Sequence, residues 1–253
     1  MSDLPRLNDA PRLNDAQRPN DAQRPNDAQR LTLFDLDNTL LAGDSDYGWG
    51  QFAVRHRLVD PESYERRNAE FYAAYKAGTL DQRAYLEFCL EPLARRSKAE
   101  LDQWHRQFMA ESIEPMMTRA GRALVEERLA AGDLVAIVTS TNTFVTAPIA
   151  RAYGIEHLIA SEAGFDAGRY TGKLVGIPAF REGKITRVDE WLSSRGRRLG
   201  DFAQTWFFSD STNDLPLLET VTHPVAVDPD PALETLARQR RWPVISLRDP
   251  GDA

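Results

Sequence analysis

Only one cysteine, Cys89, occurs in 253 residues, so no internal disulfide can staple the chain and its fold must rest on a packed apolar core. A lone thiol fits a reducing compartment. Lying at helical spacing from Tyr85 and Leu86, Cys89 reads as core packing and not as a nucleophile. Histidine is also scarce. His56, His105, His157 and His223 have no metal-binding spacing, so none is assigned to a metal or to catalysis, and His105 reads as a satisfied surface or core residue. No apolar run approaches the roughly 18 residues of a membrane helix, and the N-terminus has no apolar signal core; a cytoplasmic chain without a membrane partner is expected. Positive charge is in deficit as well. With 31 Lys and Arg against 38 Asp and Glu, the net charge of −7 argues against nucleic acid or anionic lipid as the main partner.

What is present is ample for a full core, at 42% hydrophobic and 27% charged residues. Residues 6 to 29 are four copies of one hexamer, Arg-(Leu/Pro)-Asn-Asp-Ala-(Pro/Gln), starting at Arg6, Arg12, Arg18 and Arg24. With almost nothing apolar to bury, residues 1–30 read as a disordered tail, and their five arginines balance five aspartates. The rest of the chain therefore carries all the net charge.

From Leu31 the pattern changes. Leu31-Thr-Leu-Phe-Asp-Leu is a short apolar run ending in acids, the signature of a buried parallel strand reaching its C-terminal end. Similar runs are Leu134 to Val138, ending in Thr139-Ser-Thr; Thr205 to Phe208, ending in Ser209-Asp210; and Pro224 to Val227, ending in Asp228. Helical patterns lie between them at Arg119 to Ala131, Thr143 to Tyr153 and Lys184 to Ser194, with glycines closing them. The expected fold class is α/β, a Rossmann-like doubly wound parallel sheet occupying 31–43 and 114–253, with ligands at its C-terminal strand ends. Residues 44–113 break the alternation. They read as four helices, near Tyr47 to Arg57, Pro61 to Ala77, Leu80 to Arg95 and Lys98 to Ile113, forming an inserted α-helical cap that could pack as its own bundle. Phe165 to Gly172 reads as a β-hairpin around an Asp-Ala-Gly turn.

Paired acids such as Asp35-x-Asp37 often form only a turn or a helix cap; their company gives them weight here. Asp210-Ser-Thr-Asn-Asp214, Thr139 and Lys184 all sit at strand ends or helix starts that converge on one edge of the sheet. This set suits phosphoryl transfer from a monoester. A carboxylate attacks a dianionic phosphate only where cations neutralise the transferring group, and Mg2+, which prefers oxygen ligands, fits two carboxylates plus phosphate and water. Asp35 and Asp210 are the expected ligands. Asp214 is either a ligand or the residue that orients a bound water, and its reading as the N-cap of Leu215 to Glu219 is compatible with both. Lys184 supplies a compact positive charge. The Thr139 hydroxyl and the following backbone N–H, that of Ser140, bind phosphate oxygens. Asp37 delivers one proton to the leaving oxygen and later removes one from water.

These motifs, Phe34-Asp-Leu-Asp-Asn-Thr-Leu40, Ile137-Val-Thr139, Gly183-Lys184 and Ser209-Asp-Ser-Thr-Asn-Asp214, closely resemble those of the haloacid dehalogenase superfamily. The resemblance covers about Leu31 to Arg248 and points to its phosphoserine-phosphatase-like subgroup (subfamily IB), with a helical cap after the first motif. It implies Asp35 as nucleophile, Asp37 as acid/base whose backbone carbonyl also binds Mg2+, Thr139 and Lys184 as phosphate binders, and Asp210 and Asp214 as metal-site acids. A cap that opens and closes is also implied. Ser209 and Ser211 stand where relatives commonly have glycine, and Thr139 where many have serine. The stretches Leu40 to Trp49, Trp104 to Phe108 and Val225 to Pro231 are similar to a bacterial branch that includes histidinol-phosphate phosphatases.

Seven residues after Asp37, where phosphoserine phosphatases carry an acid for the substrate amine, stands Asp44, with Asp46 nearby. Either acid is therefore expected to pair with the ammonium of a small phosphorylated metabolite, while Tyr47, Trp49, Phe71, Tyr72 and Tyr75 stack on a ring or form cap core. No arginine stands out as the partner of a substrate carboxylate, which favours histidinol phosphate over phosphoserine. Two further classes share much of this pattern: a non-catalytic phosphate-ligand sensor or phospho-aspartate switch, which needs neither a cap nor Asp37, and a phosphotransferase using an acceptor other than water. The sequence assigns no oligomeric state.

Overall fold

The computed structural model describes residues 29–248, so the repeat tail expected over 1–30 falls, up to residue 28, outside the described residues. Seven strands form one sheet in the order β4-β3-β2-β1-β5-β6-β7. They are β1 (Arg30–Phe34), β2 (Leu134–Asn142), β3 (His157–Asp166), β4 (Arg169–Val175), β5 (Gln204–Ser209), β6 (His223–Val227) and β7 (Val244–Ile245). Every pairing is parallel except the β3–β4 hairpin.

Alternation along the buried strands sends residues to two apolar layers, because successive strand side chains point to opposite faces. Phe34, Val135, Ile137 and Phe208 face one layer, which includes Val125 of α5 (Arg119–Ala130) and Ile149 of α6 (Thr143–Ala152). Leu31, Leu33, Ala136, Val138 and Phe207 face the other. That layer contains Val188 and Leu192 of α7 (Glu182–Ser193), Leu217 and Leu218 of α8 (Leu215–Leu218), and Leu233 and Ala237 of α9 (Pro231–Arg240). The sheet is doubly wound, as expected. From β1 the chain proceeds to β2 and β3 on one side and then crosses to β5 on the other, so the topological switch point lies at the end of β1, the position where open α/β sheets bind ligands.

Two strand segments differ from the sequence reading. β2 continues beyond Val138 to Asn142 through a register shift against β3, because β3 itself, whose first half was not expected, offers it an edge to follow. β7, at two residues, is too short to show a period. The hairpin turn has Ala167 at φ 45° and Gly168 at φ 79°, between the paired residues Asp166 and Arg169, which is the two-residue turn that matches strand twist.

The insertion contains α1 (Ser45–Arg55), α2 (Pro61–Lys76), α3 (Gln82–Ala94) and α4 (Lys98–Phe108). Its two connections run side by side: Leu41 bridges Met117, and Ala42 N–H donates to the Met116 carbonyl at 2.8 Å. The four helices do not form a separate bundle. Trp49, Phe52 and Phe108 belong to the same apolar cluster as Phe34, Phe144 and Ile137, so α1 and α4 are rooted in the sheet layer. By contrast α2 has no fully buried residue and lies on α3 through the Tyr64–Phe88 stack and the Phe71 contacts with Phe88 and Tyr85. Cys89 is buried in α3, as expected of a packing residue. Among the described residues, no helix is long and apolar enough to cross a membrane.

His105 sits at the root of the cap, 5% exposed among the rings of Trp49, Phe108 and Phe144, with Nε2 3.1 Å from the Val145 carbonyl. A carbonyl only accepts, so Nε2 carries the proton and donates. Burial holds the imidazole below its ordinary pKa. The fold thus keeps His105 neutral, while the unfolded chain protonates it below about pH 6.5. Its contribution is intact above that pH and is lost as pH falls through the unfolded value. Other groups titrate in the same window, so the test is the difference between two proteins: from pH 7.5 to 5.5 the urea midpoint of His105→Phe, which keeps the ring packing, should rise relative to that of wild type, and a difference that stays constant with pH would contradict it.

Candidate active site

The site begins where β1 stops. Asp35 N–H donates to the Phe208 carbonyl at 2.9 Å, continuing the β1–β5 ladder by one bond, and leaves the Asp35 side chain at the switch point. Residues 36–40 then wind a tight loop. Asn38 takes a left-handed conformation (φ 58°), which asparagine tolerates, and Leu41 N–H closes the loop on the Leu36 carbonyl at 3.0 Å. Arg248 clamps it from outside, donating to the carbonyls of Asn38 (2.6 Å) and Leu41 (3.2 Å).

Thr39, fully buried, ties this loop to the one after β5. Its hydroxyl donates to Asp210 Oδ1 at 3.1 Å and accepts from the Asp210 N–H at 3.0 Å. Lys184, near the start of α7 and 3% exposed, donates through Nζ to Asp35 Oδ1 (2.9 Å) and Asp214 Oδ2 (2.7 Å). Ser209 also donates to Asp214 Oδ2, at 2.7 Å. A serine at a position where glycine is usual thus has a use, since its hydroxyl holds the acid that anchors the lysine. Asp230 secures the same loop through the N–H and hydroxyl of Thr212, both at 2.7 Å from its carboxylate.

Asp37 is held at both carboxylate oxygens. Ser45 N–H, at the first turn of α1, donates to Oδ1 at 2.6 Å, and the Thr141 hydroxyl donates to Oδ2 at 2.8 Å. Thr139, 1% exposed, lies beside this pair and accepts the Thr141 N–H at 3.2 Å, while the Ser140 carbonyl accepts from Ser161 at 2.7 Å. Four separated segments, at Asp35, Thr139, Lys184 and Asp210, therefore meet at one sheet edge.

Carboxylates are crowded here and cations are few. Burial, followed by the charge of Asp35, pushes Asp210 up to about 8. Burial also raises Asp214 to about 6 against the opposing pull of Lys184, and raises Asp37 to about 6 with help from Asp44. Asp35 is raised by burial as well, partly offset by Lys184. The lysine itself moves up, because the two carboxylates outweigh the cost of burying its charge. Three acids sharing one ammonium form a hard, oxygen-rich and over-negative set, which fits a divalent cation bound by Asp35, Asp210 and a main-chain carbonyl. Among the described residues no three His, Cys, Asp or Glu side chains form a ready-made metal cage. Asp214 Oδ2 is committed to Lys184 and Ser209.

The residues expected to meet substrate divide. Asp44 caps α1 through the N–H groups of Asp46 and Tyr47, both at 2.9 Å, and lies close enough to Asp37 to raise its pKa. Asp46 Oδ2 accepts from the Tyr85 hydroxyl at 2.5 Å, whereas its Oδ1 is buried without a partner. Tyr47 is exposed. Trp49 corrects the expectation, being 5% exposed and stacked with Phe52 inside the core, so it has no free face for a ligand. Aromatic spacing on a helix cannot distinguish these outcomes. Sequence reasoning also missed Thr141 and Asn213, although both lie inside or next to quoted motifs.

Removing the ammonium should be costly. Lys184→Met leaves Asp35 and Asp214 buried without a countercharge, and the unfolding free energy at pH 8 should fall by about 3 kcal/mol. Adding Asp214→Asn should recover part of it. Urea denaturation measures both, and an unchanged Lys184→Met midpoint would refute the charge balance described.

Comparison with known proteins agrees with this geometry. Residues 32–219 match the family model of haloacid dehalogenase-like hydrolases. The histidinol-phosphatase of Neisseria meningitidis serogroup C (strain 8013) is 47% identical over 220 residues, covering 86% of this chain and 99% of the relative. A crystal structure of a Bordetella pertussis Tohama I protein of unknown function superposes with a TM-score of 0.84 at 50% identity, over 87% of this chain and all of the other. A substrate-bound phosphoserine phosphatase shares the fold with a TM-score of 0.60 at 17% identity, over 87% of this chain and 93% of the other. The chain thus belongs to the haloacid dehalogenase-like hydrolase family and is an enzyme of its phosphatase kind.

Proposed function

We propose that the protein hydrolyses a small, amine-bearing phosphomonoester through an aspartyl-phosphate on Asp35, with histidinol phosphate as the substrate. The observation that carries the chemistry is the placement of Lys184 Nζ 2.9 Å from Asp35 Oδ1, with Asp37 held two residues away at both oxygens. Bound Mg2+, held by Asp35, Asp210 and the Asp37 carbonyl with Asp214 orienting its shell, would neutralise phosphate charge and align the ester. Asp35 attacks phosphorus as the bond to the leaving oxygen breaks, and Asp37 gives that oxygen its proton. Raised to about 6, Asp37 retains a useful protonated fraction near neutrality. Water then attacks the phosphorus of the aspartyl ester, Asp37 takes its proton, and phosphate leaves Asp35 free again. Thr139 and the Ser140 N–H hold phosphate oxygens during both displacements.

For the substrate, support comes from the acids at the start of α1. The exposed Asp44 offers an ammonium a carboxylate beside the exposed Tyr47, and the charge of Asp46 lies close behind it. The similarity to a histidinol-phosphatase at 47% identity points the same way. Phosphoserine, or a broader set of small phosphomonoesters, is the alternative. A small phosphorylated metabolite as partner and a cytoplasmic setting belong to the same proposal.

Phosphate release from p-nitrophenyl phosphate with Mg2+ separates the enzyme from a silent sensor. Wild type should turn over and Asp35→Asn should not; equal activity of the two would end the nucleophile assignment. On natural esters, kcat/KM should favour histidinol phosphate over phosphoserine by about ten-fold or more, and the reverse preference would refute the substrate. Asp46→Asn should raise KM for histidinol phosphate while sparing p-nitrophenyl phosphate, which has no amine.

A further inference from the structure

The turn that delivers Lys184 places an arginine where glycine is the natural choice. Gly183 N–H donates to the Phe180 carbonyl at 2.9 Å, closing a four-residue turn, and Arg181 at its first central position has φ 51° and ψ −123°. That is the type II′ geometry, in which a side chain is strained and glycine is favoured. Crowding has already claimed glycine at the other end of the turn, since a Cβ on Gly183 would lie 2.2 Å from the Pro178 carbonyl oxygen. Arg181 makes no capping hydrogen bond to α7 that would compensate. Strain retained beside a catalytic lysine indicates that the side chain is kept for something outside the turn.

The guanidinium lies over the ring of Phe180 in the same turn, 5.0 Å from its centroid, and its hydrogen bond reaches beyond the turn. Arg181 Nε donates to Asn213 Oδ1 at 3.1 Å, and Asn213 Nδ2 donates to the Tyr75 hydroxyl at 3.2 Å and to Ser211 Oγ at 3.3 Å. A guanidinium has donors only, so it compels the amide oxygen to face it and turns Nδ2 toward the cap. Asn213 lies within the loop that carries Asp210 and Asp214, and Tyr75 lies in the last turn of α2, the cap helix with no fully buried residue. One amide therefore joins the Lys184 turn, the acid loop and the loosely rooted cap helix.

We propose that Arg181 is a positioning residue that orients Asn213 to dock the C-terminal end of α2 on the acid loop, so that Tyr75 closes the entrance to the site. Arg181 acts through Asn213 and need not touch substrate. The docking contact stands independently of which ester is hydrolysed.

Hydrogen exchange of α2 amides, thermal melting and steady-state kinetics on p-nitrophenyl phosphate should be compared for wild type, Arg181→Gly, Arg181→Ala, Arg181→Lys and Tyr75→Phe. Both Arg181→Gly and Arg181→Ala should speed α2 exchange to the same extent and raise KM about five-fold with kcat little changed. Arg181→Gly should melt above Arg181→Ala, because only glycine relieves the turn. Arg181→Lys, which keeps a donor, should restore part of the α2 protection. Tyr75→Phe should reproduce the faster exchange, and adding Arg181→Gly to it should add nothing. Wild-type α2 exchange in Arg181→Ala and Arg181→Gly, or additive effects with Tyr75→Phe, would overturn the proposal even if every variant remained active. Should no variant and no wild type hydrolyse the ester, the exchange results alone decide the docking claim.

Discussion

A single buried ammonium between two carboxylates organises this molecule. Lys184 Nζ bridges Asp35 at the end of β1 and Asp214 beyond β5, and neither acid is exposed enough for water to do the same work. Such an arrangement is expensive to bury and valuable only if fully partnered, which accounts for the supporting hydrogen bonds: Ser209 to Asp214, Thr39 to Asp210 and Asp230 to Thr212. Burial first, and then the charge of Asp35, lifts Asp210 to about 8 and, against the pull of Lys184, Asp214 to about 6, so one ammonium leaves the acids around it in excess. In chemical terms that excess suits the proposed cation site and the proposed nucleophile together.

The cap follows from the same economy of contacts. Its connections leave and re-enter beside one another at Leu41 and Met117, immediately after the nucleophile loop. Ser45, the first residue of α1, holds Asp37, so the proposed acid/base is linked to the root of the cap. Because Trp49, Phe52 and Phe108 are packed with the sheet layer, α1 and α4 are part of the scaffold, whereas α2 buries no residue fully. The β3–β4 hairpin reinforces this division: Lys173 pairs with Glu87 of α3 at 3.0 Å, and Gly172 lies close against the α3 backbone.

Much of this was legible in the sequence because parallel strands buried on both faces are continuous apolar runs, and the polar residues that end them stand out. Asp35, Thr139 and Asp210 were found in that way and Lys184 by its place after Gly183 at a helix start, and a hydrogen bond links Lys184 to Asp35. Pairings across long separations left no such trace. Nothing local to Thr141 says that its hydroxyl meets Asp37, and nothing at Arg181 reveals a type II′ turn or a partner 32 residues away. Trp49 stayed open between ligand and core because helical spacing marks an apolar stripe without saying whether a ligand or Phe144 will cover it. The extension of β2 and the two-residue β7 depended on neighbouring strands, which only the assembled sheet supplies.

The central claim, that Asp35 forms a covalent bond to phosphorus, is tested most directly by the stereochemical course at phosphorus with an isotopically chiral phosphomonoester. Two in-line displacements, first by Asp35 and then by water, predict net retention of configuration. Inversion would mean that water attacks the ester directly and would contradict the account.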